Sequence, residues 1–578
     1  MCGVLLIYSK KKKLIRSNCI KAFRSINNRG PDKQLSNFFL SDRLFIGNSV
    51  LHINGKLKKG NELYNKNGVH LAYNGEIYNH KELDKKYFDK KQSNDTVTLL
   101  KLFTKYQRQQ VLKKLDGMYS LIVFDEKNKE TYFATDPQGE KRILKYEDED
   151  FLILSSTTRP IIDFIKKKIP INPLKINDYF NTRHFMQFTS TILEGVNYIK
   201  GGTIYSKKLP KQKIIMKKII NPVDWINEKE YKKNTLKNSS ELSLILENKI
   251  VETLNIMKPD IKFGTIMSGG IDSSIISSIL DKDKMHNTHF CLTYHNKDRP
   301  AQNLKKKGYI NYINYKKLKI IDMNVKMYFK NLKVAFNQFN SLLSTHDLPG
   351  RCLTYSYFKR KGIKVIFGGD GADEIFGGYV NYLKVFNRKN FNKKIVTRYS
   401  INKNIKSVEF FAIQKLFNEA YTKYRTFLNR KEAIIQSNLF IDYFAQSVSV
   451  HNVSNDILGG ENSIEMRSLF LNKNIIKFAL NLPIENKINL NATTKELKLK
   501  PLLKKIFIRR FSSSLIEKKQ GFSGFPSEVW NFLEFNEKTK IKKFISKHFF
   551  IKLKKLDEAL KWKLLNTYFY FKLKNFKI

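Results

Sequence analysis

Short runs in which β-branched, aromatic and aliphatic residues alternate with polar ones recur through the first third of the chain. They are GVLLIY from Gly3, RLFIGNSVL from Arg43, VHLAYNGEIY from Val69, MYSLIVFD from Met118, ETYFATD from Glu130 and DFLILSS from Asp150. Runs of this length with β-branched content predict strands, whereas DTVTLLKLFTKY from Asp95 repeats its apolar residues at helical spacing. Around YIKGGTIYSKKLPKQKIIMKKIINPVDW, glycine, proline and lysine interrupt the pattern, which places a domain boundary near residues 205 to 235. Beyond it, long helical patterns alternate with the short apolar runs FGTIM, THFCLTY and KVIFGG. That alternation predicts a parallel sheet covered by helices. The reading is a strand-rich domain over 2–210 and an α/β domain over 235–578.

Composition narrows the class. At 578 residues the chain is too long for one core, and 42% hydrophobic residues suffice to fill two. No apolar run is long enough to span a bilayer, and the first one precedes its lysines, the reverse of a secretory signal. A cytoplasmic protein without a membrane partner is expected. The four cysteines, Cys2, Cys19, Cys291 and Cys352, stand far apart with no CxxC pair, so neither a disulfide framework nor a zinc site is indicated. The formal charge of +54 raises nucleic-acid binding, but the lysines are spread through nearly every segment, as a global bias would spread them. Lys10 to Lys13 then decorate a solvated turn. The basic tail from Lys540 to Ile578, with Phe549, Phe550, Trp562, Tyr568 and Phe571, packs a helix on the core, and no nucleic-acid partner is expected.

Two glycine-rich turns carry the chemistry of the second half. In GTIMSGGIDSSIISSIL a strand ending at Met267 runs into Ser268, Gly269 and Gly270, and a helix begins near Asp272, Ser273 and Ser274. Backbone amides there can approach an anion closely at a helix N-terminus, a phosphate cradle without the lysine of a Walker A loop. About a hundred residues on, GIKVIFGGDGADEIFGGY ends a second strand in Gly368, Gly369, Asp370, Gly371, Ala372, Asp373 and Glu374. Three carboxylates on one turn repel one another unless a cation shares them, and a divalent metal on ATP would do so. In an open parallel sheet both loops fall at strand carboxyl ends. At the other end of the chain, Met1 is followed by Cys2. Cys2 is either a small buried hydrophobe or, with Met1 removed, a nucleophile beside its own α-amino group, whose ordinary pKa of about 8 suits a general base.

SGGIDSS followed by GDGADEIFGGY resembles the ATP pyrophosphatase domain of the glutamine-hydrolysing asparagine synthetases. MCG, NNRGPD (Asn27 to Asp32), YNGEIYNH (Tyr73 to His80), SNDT (Ser93 to Thr96) and LDGMYSLIVFD (Leu115 to Asp125) resemble its glutaminase domain in order and spacing. IEMRSLFLN (Ile464 to Asn472) and EKKQGFSGFP (Glu517 to Pro526) extend the resemblance over nearly the whole chain. It implies an N-terminal four-layer αββα glutaminase domain of the N-terminal-nucleophile type, then a doubly wound parallel α/β domain with extra helices. It further implies that Cys2 attacks glutamine, that Asn74 and Gly75 stabilise the oxyanion, and that Glu76 and Asp95 hold the substrate. ATP would lie on Met267, Ser268, Gly269, Gly270, Asp272, Ser273, Ser274, Leu292, Gly368 and Gly369, with magnesium on Asp272 and Asp373. Asp370 and Lys519 would act at the reacting centre, where aspartate is activated as an acyl-adenylate and ammonia releases AMP. The small-molecule substrates would be glutamine or ammonia, aspartate and ATP, and a homodimer is possible in this family.

The pattern departs in places. The family strand whose Arg clamps the glutamine carboxylate reads Val50, Leu51, His52, Ile53, with Arg43 a candidate substitute from another strand position. Thr135 replaces an Arg, Thr157 a Glu, and Asn472 an Asp, and HNKDRPAQN follows FCLTY where acidic and small residues are usual. Two alternatives stay open: an amidotransferase of the same architecture acting on another carboxylate, such as one in surface polysaccharide synthesis, and a basic nucleic-acid-binding or regulatory protein on a degenerate scaffold.

Overall fold

Apolar residues on both faces of the first strands force a layered solution, since each sheet has two surfaces to cover. The computed structural model describes all residues except 58, 167–168, 183–185, 211–212, 296–303, 305–308, 310–311, 340, 387–407, 494–497, 517–523, 550–556 and 574–578. Among the described residues of the first half, twelve strands form two antiparallel sheets. They are β1 (Gly3–Ser9), β2 (Lys33–Phe39), β3 (Leu44–Val50), β4 (Tyr64–Lys66), β5 (Val69–Ile77), β6 (Gly117–Asp125), β7 (Glu130–Thr135), β8 (Leu144–Glu147), β9 (Phe151–Ser155), β10 (Asn197–Tyr198), β11 (Thr203–Lys208) and β12 (Ile215–Lys218). Their orders are β10-β8-β9-β1-β3-β2 and β12-β11-β7-β6-β5-β4.

Alternation assigns the layers. On β1, Val4, Leu6 and Tyr8 meet Ala72, Ile122, Phe124 and Phe133 of the other sheet, filling the space between the two. Leu5 and Ile7 face the opposite way, onto Cys19, Ala22 and Phe23 of the helix Arg16–Arg24. Leu71, Tyr73, Tyr119 and Leu121 pack outward on Leu99, Leu102 and Phe103 of the helix Asp95–Lys105. The result is helix, sheet, sheet, helix.

The glycine- and lysine-rich stretch carries the hairpin β11–β12, with β11 inside residues 2–210 and β12 just beyond them. Ile204 pairs with Ala134 of β7, so this hairpin completes the second sheet rather than leaving it. β12 is exposed along its whole length, which hides it from any reading based on burial.

The second half is built on β13 (Phe263–Ile266), β14 (His286–Tyr294), β15 (Leu318–Met323), β16 (Val365–Gly368) and β17 (Glu465–Ser468), in the order β15-β14-β13-β16-β17. All four pairings are parallel. The order runs outward in both directions from the β13–β16 pair, so the loops leaving those two strands diverge and leave a crevice between them. Helices cover both faces through two large apolar clusters. Near the carboxyl end, Trp562 and Phe571 on the helix Glu558–Leu573 are buried in one of these clusters, as the reading of the basic tail required. Lys11, Lys12 and Lys13 are exposed on a turn.

Candidate functional site

Cys2 lies immediately before β1, beside the strand that carries YNGEIY. Its backbone N–H donates to Asn74 Oδ1 at 2.9 Å, and its Sγ lies 3.9 Å from the Leu51 carbonyl oxygen. Burial pushes the Cys2 thiol up to about 11 and the Met1 amino group down to about 6. With Met1 in place the Cys2 nitrogen is a peptide N–H and has no lone pair to act as a base. Asn74 is fully buried, and Gly75 has a φ of +144°, with the space for a Cβ taken by Met118 O at 2.0 Å. Only glycine holds this backbone conformation within β5, which fixes the Asn74–Gly75 unit beside the thiol.

Glu76 and Asp95 are buried in the same region. Asp95 Oδ2 accepts from the Tyr73 hydroxyl at 2.8 Å and from the Ile77 N–H at 3.0 Å. Glu76 accepts from Asn54 Nδ2 at 2.8 Å and lies 3.1 Å from Arg467 Nη2. Burial holds the Glu76 carboxyl up at about 8 against the pull of Arg467, with Asp95 and Glu465 adding to the rise. Val50, half-buried, ends β3 without a charge. Arg43 sits before the opposite end of that strand, where it donates to Ser9 O and Lys10 O and stacks on Tyr8, so it does not take the place of a clamp at Val50.

The two glycine-rich loops converge at the crevice between β13 and β16. A Cβ on Gly369 would lie 3.1 Å from Asp272 Cβ and 3.2 Å from Ser273 N, so the loops are in contact. Ser273 Oγ accepts from the Ser268 N–H at 3.2 Å and donates to Gly270 O at 3.2 Å, which closes the first loop on itself. Tyr309 OH donates to Gly269 O at 2.9 Å. Met267 and Ser274 are buried in the protein interior, and Leu292 is half-buried against the Gly350 backbone. Gly368 backs directly onto Met466.

The expectation that one cation shares three carboxylates is corrected. Asp272 and Asp373 do share one, the ammonium of Lys500, which lies 2.5 Å from Asp272 Oδ2 and also bonds Asp373. Asp370 points elsewhere: Arg351 Nη1 lies 3.3 Å and Asn455 Nδ2 2.7 Å from its Oδ2. Glu374 is buried and accepts from the Tyr379 hydroxyl at 2.6 Å. The short helix Ala372–Ile375 turns these side chains in different directions, so adjacency in sequence does not become adjacency in space. Burial raises the Asp370 carboxyl, but Arg351, then His451 and the Asn455 bond, outweigh it and hold it below the ordinary range. Arg351 is itself ringed by Asp347 at 2.6 Å, Asn455 and His451 at 3.3 Å.

Sequence reasoning did not find Lys500, Arg351, Asn455 or Arg467. In a chain with 106 Lys and Arg residues a single basic residue carries no signal, and Asn455 lies in no glycine-rich turn. Lys519 and the unusual segment after His295 lie outside the described residues. The described residues place Cys2, Asn74, Gly75, Glu76 and Asp95 together, and Ser268, Gly269, Gly270, Asp272, Ser273, Gly369 and Asp373 together.

Buried contacts join the two groups. Arg29 Nε donates to Cys2 O at 2.9 Å, and its Nη2 donates to both carboxylate oxygens of Asp456 at 3.0 Å. Asp456 lies on the helix Val453–Glu461, which also carries Asn455 to Asp370. Arg467 on β17 reaches Glu76 from the same side.

Residues 1–218 match the glutamine amidotransferase domain family, and residues 250–568 match the asparagine synthase family. The chain belongs to the asparagine synthase family. It is similar to a putative glutamine-hydrolysing asparagine synthetase of Methanocaldococcus jannaschii, 26% identical over 434 residues, covering 68% of this chain and 78% of that protein. Asparagine synthetase 1 of Bacillus subtilis is 24% identical over 68% of this chain and 61% of its own length. Asparagine synthetase B of Escherichia coli is 23% identical over 69% of this chain and 68% of its own. A solved structure of the allosteric regulatory enzyme of purine biosynthesis is 12% identical over 46% of this chain and 60% of its own, at a TM-score of 0.28 that carries no argument. Among the described residues no helix is long and apolar enough to cross a membrane.

Proposed function

We propose that this asparagine synthase family protein transfers the amide nitrogen of glutamine to the side-chain carboxylate of aspartate, driven by conversion of ATP to AMP and pyrophosphate. The observation that supports it best is the joining of two unlike sites in one body. A thiol beside a buried Asn–Gly unit is linked through Arg29, Asp456 and Asn455 to a carboxylate at the rim of a crevice lined by glycine-rich loops.

In the first site, removal of Met1 frees the Cys2 amino group to take the thiol proton. The thiolate adds to the glutamine amide carbon, and the oxygen that gains charge is met by Asn74 and the Gly75 N–H. Loss of one such donor typically costs about 3 kcal/mol of barrier lowering. The carbon–nitrogen bond breaks with return of the proton to nitrogen, leaving ammonia and a thioester that water hydrolyses. Asp95 and Glu76 orient the substrate.

In the second site, ATP supplies the activation. A carboxylate oxygen of aspartate forms a bond to the α-phosphorus, and the bond to pyrophosphate breaks. Ammonia then adds to the acyl carbon and AMP departs with that oxygen. Ser268, Gly269, Gly270 and Ser273 present N–H and hydroxyl groups to phosphate oxygens at a helix N-terminus. Asp272 and Asp373 fit a magnesium ion bound to the triphosphate, because the point on which they converge already holds a positive charge in Lys500. Lys500 would then turn from the carboxylates toward phosphate. Asp370 would sit at the acceptor side, kept ionised by Arg351.

One observation favours a second reading, a different acceptor. The half-buried Arg351 beside Asp370 already carries Asp347, Asp370, Asn455 and His451, which leaves it poorly placed to grip the second carboxylate of aspartate. The test is to supply glutamine or ammonium with magnesium-ATP and a panel of carboxylates, to wild-type protein and Cys2→Ala. Asparagine formed from both nitrogen sources by the wild type, and from ammonium alone by Cys2→Ala, supports the first reading. An amide of another acid supports the second, and no AMP from any carboxylate contradicts both.

A further inference from the structure

At the opposite end of β13 from the phosphate loop, two buried histidines and an aspartate face one another. Asp281 follows the helix Ile271–Leu280, and His286 and His289 lie on β14. One ligand atom of each lies within 4.8 Å of the others. Three positions apart on a regular strand, the two histidines would point to opposite faces. They share a face because β14 bulges: Phe263 pairs with His286 but Gly264 pairs with Thr288, so Asn287 is extruded to solvent. Their ring centroids are 4.2 Å apart.

The polar bookkeeping of this cluster is incomplete. His289 Nε2 lies 2.9 Å and His286 Nδ1 3.9 Å from Asp281 Oδ1. His286 is 3% exposed, and its Nδ1 is a buried nitrogen with no hydrogen-bond partner, aimed at that carboxylate. A buried ring nitrogen left unbonded is costly, so a further group is called for. Behind the rings, Thr265 Oγ1 lies 2.6 Å from His289 Nδ1 and 3.4 Å from His286 Nε2, and Ser277 Oγ donates to it at 3.2 Å. That hydroxyl pair fixes both rings from the rear, as outer partners do for metal-bound imidazoles.

We propose that Asp281, His286 and His289 form a binding site for a borderline divalent transition ion such as zinc, separate from the crevice that would hold nucleotide. Two imidazoles and one carboxylate suit zinc, whereas magnesium and calcium prefer oxygen donors throughout. Ligand atoms around tetrahedral zinc are about 3.3 Å apart, a value that the 2.9 and 3.9 Å separations bracket. His286 Nδ1, buried and unbonded, faces Asp281 Oδ1 at 3.9 Å and would supply a lone pair to the ion. His289 would shift its proton from Nε2 to Nδ1, where Thr265 Oγ1 accepts it, and the Thr265–Ser277 hydroxyl bond reverses. Asp281 keeps its Oδ2 on the Asn314 N–H at 2.8 Å. Lys317, 4.0 Å from Asp281 Oδ1 and a quarter exposed, has solvent into which to withdraw. Water would supply the fourth ligand. The ion would pin the end of the helix whose beginning carries Asp272 and Ser273.

The test uses the full chain freed of metal by chelator, without nucleotide, and cobalt(II) as the spectroscopic probe, followed by displacement with zinc. The expected result is one cobalt ion per chain, with the intense visible band of a four- or five-coordinate nitrogen and oxygen site and no thiolate charge-transfer band. Affinity should fall tenfold or more in each of His286→Gln, His289→Gln and Asp281→Asn that circular dichroism shows to be folded. Absence of stoichiometric uptake by the wild type, a thiolate band, or a folded variant that binds as the wild type does would each overturn the proposal.

Discussion

Asn455 and Asp456 are consecutive on one helix and serve different sites. Asn455 Nδ2 donates to Asp370 at 2.7 Å, while Asp456 receives Arg29, which in turn holds the carbonyl of Cys2. Successive helical residues point about 100° apart, so one helix laid along the boundary between the halves can address both. The pair Arg29–Asp456 is buried, with side-chain exposures of 1% and 7%.

Arg29→Met should therefore uncouple the two nitrogen sources. Breaking a buried ion pair from one side costs about 3–5 kcal/mol of stability when the other charge is left alone, and Lys141 Nζ, 3.8 Å from Asp456 Oδ1, holds the loss to the lower end of that range. The Cys2 carbonyl also loses its donor. We expect glutamine-dependent amidation to fall well below ammonium-driven amidation, together with a loss of this size in urea denaturation. Equal losses from both donors would mean that the contact is structural only.

Lys500→Met should turn the loop carboxylates into a better magnesium site. Two carboxylates facing one point repel each other once the ammonium is gone, and a divalent ion relieves this. At equal magnesium and without nucleotide, the melting temperature of Lys500→Met should rise more than that of the wild type, since a ligand that binds only the folded state raises stability by mass action. Pyrophosphate formation should be lost. Equal magnesium shifts in the two proteins would show that Asp272 and Asp373 do not form such a site.

Lys487 gives a pH dependence of definite sign. It is buried, bonded to Gln436 Oε1 at 2.6 Å, and burial lowers its ammonium to about 7 from an ordinary 10.5. Between those values the unfolded lysine binds a proton that the folded one has released, so folding stability rises with pH. The penalty for the buried charge is present in full below about pH 7 and is relieved as pH climbs toward 10.5. Denaturation measured from pH 7 to 10 should show a positive slope in the wild type that Lys487→Met lacks. Parallel curves would contradict a lone buried lysine.

Val50 should limit capture of glutamine. An Arg gripping a carboxylate makes charge-assisted bonds worth about 1.5–3 kcal/mol each, and neither Val50 nor the distant Arg43 makes them. Val50→Arg should lower the KM for glutamine by about one to two orders of magnitude while leaving ammonium use unchanged. An unchanged KM would place the clamp in another group.

What was legible in the sequence follows from the range of each interaction. The strands β1, β3, β5, β6, β7 and β9 announce themselves because alternation is local, and the loop at Ser268–Ser273 does so because its glycines and hydroxyls are consecutive. The edge strand β12 was hidden by exposed lysines, since a solvent-facing edge strand has no buried face to write into the pattern. Lys500 meets Asp272 across 228 residues, and Arg467 meets Glu76 from the far half of the chain. Such partners are set by topology and leave no local trace. The separation of Asp370, Asp373 and Glu374 belongs to the same class, because a short helical turn decides where each points.

The most direct measurement follows oxygen. Aspartate labelled with oxygen-18 in its side-chain carboxylate is supplied with glutamine and magnesium-ATP, and the AMP is analysed by mass. If the carboxylate attacks the α-phosphorus and ammonia then releases AMP, one labelled oxygen must leave with AMP for each asparagine formed. Unlabelled AMP, or ADP and phosphate in its place, would contradict the account.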